Sequence, residues 1–128
     1  MLTRTLDRQL PFTTKDGSTI RELFGLAIGG SHVQSLAEAR LEPGAATQRH
    51  RHALSEEVYF VLAGEGVIEI EGEEARLVVG DGVVIPAGAA HTIAAVGGSE
   101  LRFLCMCAPP YTHEDTVLAP ARDLSAER

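Results

Sequence analysis

From position 64 onward this chain never runs far before a glycine or proline interrupts it: Gly64, Gly66, Gly72, Gly80, Gly82, Pro86, Gly88, Gly97 and Gly98. Neither residue suits a helix interior, glycine because it loses the most entropy on folding and proline because it has no N–H to donate. The pieces between them, residues 67–70, 75–79, 83–85, 92–96 and 101–105, are short and rich in β-branched side chains. Each is too brief for a helix and reads as a strand. Turn residues join them at Glu71-Gly-Glu-Glu74 and Val96-Gly-Gly-Ser-Glu100. Residues 18–26 and 33–41 are further strand candidates, the second closed by Glu42-Pro43-Gly44. Pro109 and Pro110 end the last strand, since neither can donate to a ladder.

Interruption at this rate favours an all-β single domain, an antiparallel sandwich or barrel. Its 128 residues suit one domain, at roughly 100 to 200 residues each. Residues 1–43 are expected to supply N-terminal strands that complete the barrel, and 44–110 to form its core. Residues 111–128 are a C-terminal tail in which Pro120 could open a short helix. Eighteen acids against eleven bases give a net charge of −7. That opposes the basic stripe needed to track a phosphate backbone, so no nucleic-acid partner is expected. The first ten residues lack a signal peptide's apolar run, and nothing approaches the stretch of about 18 apolar residues that spans a bilayer. A cytoplasmic protein with no membrane partner is the expectation.

The densest chemistry lies in His50-Arg51-His52, Glu57 and His91. On a strand, residues i and i+2 share a face, so His50 and His52 present two imidazoles side by side. Glu57 opens the run Glu57-Val-Tyr-Phe-Val-Leu62, and an antiparallel return could bring its carboxylate near the pair. His91, after Pro86-Ala-Gly-Ala-Ala90, could complete three nitrogens and one oxygen. Such a set suits one divalent transition ion, and spacing does not rank Fe, Mn, Ni, Co, Cu or Zn. A single glutamate against a 2+ ion leaves about +1, which favours a carboxylate, enolate or enediol oxygen as an added ligand.

These residues resemble the cupin family. The first motif reads here Gly44, five residues, His50, one, His52, four, Glu57, six, Gly64; the second reads Gly80, five residues, Pro86, one, Gly88, two, His91. Where the family often has Asn, this chain has Ala95. The resemblance implies a double-stranded β-helix, or jelly-roll barrel, holding one divalent metal on His50, His52, Glu57 and His91. It also implies a small metal-dependent enzyme of oxygenase or isomerase type acting on a small polar metabolite at the ion. A non-catalytic binding or sensing protein is the alternative.

Strand parity extends the reading. Inward His50 and His52 carry Gln48 with them and leave Thr47, Arg49 and Arg51 outside, while inward Glu57 carries Tyr59 and Val61. Tyr59 is therefore a candidate for catalysis as well as for the core. His113, in the polar cluster Tyr111-Thr-His-Glu-Asp115, is the other catalytic candidate, Tyr111 could line the pocket, and Glu56 is a possible base on the wrong face. Opposite parity puts Val58, Phe60, Leu62, Leu104 and Met106 outside. A homodimer partner is expected to cover that apolar patch, the alternative cover being the chain's own N-terminal segment.

Cys105 and Cys107 share the face of Phe103 near the pocket. They are too few for a disulfide framework and too close on one strand to bridge without strain, so they read as reduced core residues. His32 reads as a surface histidine, and Glu65, Glu69, Glu71, Glu73 and Glu74 as a solvated hairpin rim. The only lysine, Lys15, stands in a turn beside Asp16-Gly17, which argues against Schiff-base chemistry. With no Gly-x-Ser-x-Gly and no phosphate-cradling glycine loop, serine hydrolase and nucleotide readings lack support.

Overall fold

The computed structural model describes residues 1–121. A single 3-10 turn, Leu6–Arg8, precedes eleven strands: β1 (Phe12–Thr13), β2 (Thr19–Phe24), β3 (Ser35–Leu41), β4 (His50–His52), β5 (Glu56–Ala63), β6 (Glu65–Ile70), β7 (Glu73–Leu77), β8 (Gly82–Ile85), β9 (His91–Val96), β10 (Leu101–Ala108) and β11 (Thr116–Leu118). They form a six-stranded sheet in the order β1-β2-β3-β10-β5-β8 and a five-stranded sheet in the order β11-β4-β9-β6-β7. The strands pair antiparallel throughout. This is the jelly-roll arrangement of two sheets expected from the sequence. Among the described residues no helix is long and apolar enough to cross a membrane.

Alternation along the strands builds the interior. Tyr59 and Val61 of β5, Ala39 and Leu41 of β3, and Leu101 and Phe103 of β10 are buried on one sheet; Ile68 of β6 and Ile93 and Ala95 of β9 meet them from the other. Removing each large side chain of this set from water stabilises the fold by about 1.5–3 kcal/mol. Outward positions on the six-stranded sheet follow the expected parity: Val58, Leu62, Leu104 and Met106 are half-buried and Phe60 is 39% exposed. The β6–β7 hairpin turns on Glu71 and Gly72, both at positive φ (47° and 91°), the backbone that lets a two-residue loop follow the strands' right-handed twist.

That tight turn corrects one strand boundary. Because Glu73 already pairs with Ile70, β7 occupies 73–77, not 75–79. Val78 and Val79 fall in the following turn, 45% and 62% exposed, where Val78 N–H donates to Asp81 Oδ2 at 2.8 Å. A second correction concerns the approach to His50. Thr47 is buried and Gln48 exposed, the reverse of the expected parity, because β4 begins only at His50. Thr47 runs beside β9 instead: its N–H donates to Ile93 O, and its hydroxyl accepts from Ile93 N–H at 3.1 Å.

The tail also differs from expectation. Residues 116–118 form β11 on the free edge of β4, in the register Thr116↔His52 and Leu118↔His50. Most of the helix expected after Pro120 lies outside the described residues. Nor is the glutamate rim uniformly solvated: Glu69 bonds Arg49 at 2.7 Å and accepts from Gly72 N–H, while Glu65 pairs with Arg76.

Candidate metal centre

His50 and His91 stand directly opposite each other in the β4–β9 register, so two imidazoles from different strands already share one face of the five-stranded sheet. His52 joins them two residues along β4, and Glu57 reaches across from β5 of the other sheet. All four are buried, and one donor atom from each lies within 4.8 Å of the others.

Each imidazole spends its Nδ1 on an outward partner. His50 Nδ1–H donates to Gln48 O at 2.7 Å, and His91 Nδ1–H to Ala89 O at 3.0 Å. His52 Nδ1 lies 3.2 Å from Thr116 Oγ1, whose own proton goes to Thr112 O, so the hydroxyl accepts from the ring. These contacts leave the three Nε2 atoms facing inward.

Glu57 Oε1 lies 3.2 Å from His52 Nε2 and 3.4 Å from His91 Nε2, yet Oε1 and His91 Nε2 are buried without a hydrogen-bond partner. Buried acceptors converging with no proton between them are costly, and one shared cation satisfies them together. The donor set fits a divalent transition ion.

The electrostatics agree. Burial would raise the Glu57 carboxyl, but the His52 and His91 nitrogens outweigh it and hold the group well below the usual carboxylate range. Burial also works against a charged His52, and Glu57 overcomes it, raising that ring; burial and the neighbouring His91 depress His50. The cluster therefore keeps Glu57 ionised.

A partly open cavity lies beside the cluster and is bordered by His52, Glu57, Tyr59, Cys107, Tyr111 and Asp16 among others. Tyr59 lines it, with its phenol raised well above the usual range by burial and by Glu57, so it is protonated at neutral pH. Burial likewise raises the Cys105 and Cys107 thiols, and Cys107 Sγ–H donates to Glu57 Oε2 at 3.1 Å. The Tyr111 ring packs edge-on to His52 at 5.9 Å between centroids. His113 is exposed in the turn before β11 and does not border the cavity; Glu56 and His32 are exposed too.

Asp16 escaped the sequence reading. Its Oδ2 lies 3.2 Å from His50 Nε2, while Oδ1 accepts from Thr14 Oγ1, Ser18 N–H and Ser18 Oγ. Thr14-Lys-Asp-Gly-Ser18 looks like an ordinary polar turn. No spacing rule links it to a histidine 34 positions later, and only the β1–β2 hairpin, folding over the mouth, makes the connection. Lys15, between them, is spent on the carbonyls of His113 and Thr116, at 2.9 and 2.7 Å.

The family profile for the cupin domain matches residues 37–107, more than half of the chain. The chain belongs to the cupin family. This cupin is 43% identical over 110 residues to an uncharacterized protein of Methanocaldococcus jannaschii, across 86% of this chain and 88% of that one. It is 33% identical over 70 residues to the oxalate-binding protein of Thermotoga maritima, across 55% of this cupin and 58% of that protein. Among solved structures it is similar to Pac13 of Streptomyces, a nucleoside dehydratase, with a TM-score of 0.77 at 17% identity, covering 98% of this cupin and 96% of Pac13. At that identity the likeness speaks to the fold.

Proposed function

We propose that this cupin is a divalent-metal-dependent enzyme of oxygenase or isomerase type acting on a small polar metabolite at the ion. The observation that carries the reading is the buried inward meeting of three imidazole Nε2 atoms and Glu57 Oε1, of which Oε1 and His91 Nε2 have no hydrogen-bond partner. His50, His52, Glu57 and His91 would hold the ion. When bound, a transition ion supplies Lewis acidity and, where redox-active, access to oxygen chemistry.

The chain's own residues supply the rest. Cys107 holds Glu57 in place, and Gln48, Ala89 and Thr116 fix the imidazole orientations. Tyr59 offers a protonated phenol at the cavity wall, fitting a donor role toward a ligand oxygen. Tyr111 packs against His52 at the cavity wall.

Metal analysis of protein purified without added metal, followed by oxygen-uptake and isomer assays on small hydroxy and keto compounds, tests this. Wild type should bind one ion and turn over, and His52→Ala should lose both. Turnover that survives metal loss overturns the reading. A second reading, a binding protein without turnover, is favoured by the oxalate-binding relative and by the exposure of Glu56 and His113 away from the cavity. It predicts a saturable ligand recovered unchanged.

A further inference from the structure

We infer that the pocket selects a hydrogen-bond-donating, non-anionic small molecule, such as a polyol or amino alcohol, because Asp16 and Glu22 bring further carboxylates to a cavity that no Lys or Arg lines. The inference rests on the metal-site reading above and names its ligand class.

Asp16 sets the charge at the ion. Its Oδ1 is pinned at 2.7 Å by Thr14 Oγ1, 2.8 Å by Ser18 N–H and 2.7 Å by Ser18 Oγ, all donors to an anion, which aims Oδ2 at His50 Nε2. A 2+ ion beside Glu57 and Asp16 carries no net charge. The anion preference expected from Glu57 alone is thereby cancelled.

Glu22 lines the same cavity from β2. Its carboxylate lies against Gly25, where a Cβ would collide with Oε1, so the glycine keeps room for the acid. Around the wall stand Thr14, Ser18, Ser35, Tyr59 and Tyr111, and no described lysine or arginine lines it. The nearest cations stay outside the lining: Lys15 bonds two carbonyls, and Arg4, bonded to the carbonyls of Leu23, Ile28 and Gly29, offsets part of the charge of Glu22. A carboxylate ligand would thus meet three acids and no cation in the lining besides the ion itself, whereas O–H or N–H donors meet acceptors on both sides.

Calorimetric titration with glycerate, glycerol and 3-amino-1,2-propanediol tests this, since the three share a carbon skeleton and differ in charge. Oxalate serves as the dianion. Metal-loaded and metal-free protein are both titrated, with bound metal quantified separately. The amine or the neutral triol should bind at least about tenfold more tightly than glycerate or oxalate. Asp16→Asn and Glu22→Gln should each narrow that gap about tenfold, the first while leaving the fold intact by circular dichroism. Glycerate or oxalate binding first to the wild type overturns the inference and leaves the metal reading standing. Failure of both glycerol and the amine to bind overturns it as well. Absent metal with the expected ranking overturns the metal reading alone.

Discussion

Cys107 and Glu57 stand opposite each other in the β5–β10 register, and the Cys107 thiol donates to Glu57 Oε2 at 3.1 Å while Oε1 faces the imidazoles. One carboxylate oxygen is thus anchored so that the other is aimed. Outer partners of this kind typically contribute tenfold to a hundredfold to metal affinity. Cys107→Ala should weaken binding of a divalent ion about tenfold in a chelator competition, and Cys107→Ser should restore most of it. Equal affinity in all three proteins would show the thiol to be packing alone.

Removing the metal should loosen the whole domain. At free ion about a hundredfold above Kd, linkage adds about 2.7 kcal/mol to the folded state, which for a domain of this size raises Tm by roughly 10 °C. Scanning calorimetry before and after dialysis against chelator reads this directly. An unchanged Tm would remove the cluster as a metal site.

Glu38 makes a different prediction, on stability and pH. Its side chain is fully buried on the outer face of β3, gripped by Arg40 and Arg102 at 2.6 Å each. Burial pushes its carboxyl up, but the two guanidiniums win and hold it below the usual range. A folded-state value below the unfolded one means stabilisation that is complete above about pH 5 and fades as pH falls through the folded value. Glu38→Ala should cost about 2 kcal/mol at neutral pH, discounted because both guanidiniums are about a third exposed. The gap between mutant and wild-type urea midpoints should close toward pH 3; a gap independent of pH would refute the charge argument.

Gly64 follows β5 at φ 78°, and a Cβ there would strike the backbone carbonyl of Glu100. Backbone cannot step aside as a side chain can, so Gly64→Ala combines left-handed strain with a clash and should cost about 3 kcal/mol. Denaturant unfolding would measure it.

Beside Phe60, Val84 is 56% exposed on the outer face, across the strand from Val58. We propose that a second copy of the chain covers this patch. Light scattering should give a dimer mass for wild type and a monomer mass for Phe60→Glu, whose charge would be buried unpaired at such an interface. A monomeric wild type would discard the proposal.

The buried pattern of β5 and β10 was legible because period-two alternation decides the inner face wherever a strand is long enough to repeat. The donor cluster was legible for a related reason: His50 and His52 are two apart on one strand, so local geometry alone aligns them. Thr47 and Gln48 depart from that parity because they precede β4, where the chain bonds β9 from the side. Asp16 and Thr116 were invisible for lack of any local signature. Each acts on a histidine through tertiary pairing, one by a hairpin folded over the mouth and one by an added edge strand.

Glu57 belongs to one sheet and the three imidazoles to the other, while β4 meets β9 at the single register pair His50↔His91. A seated cation would tie the two layers together through side chains alone. Breathing at that end of the sandwich would then rise and fall with ion supply, so the domain would report metal scarcity through its own looseness.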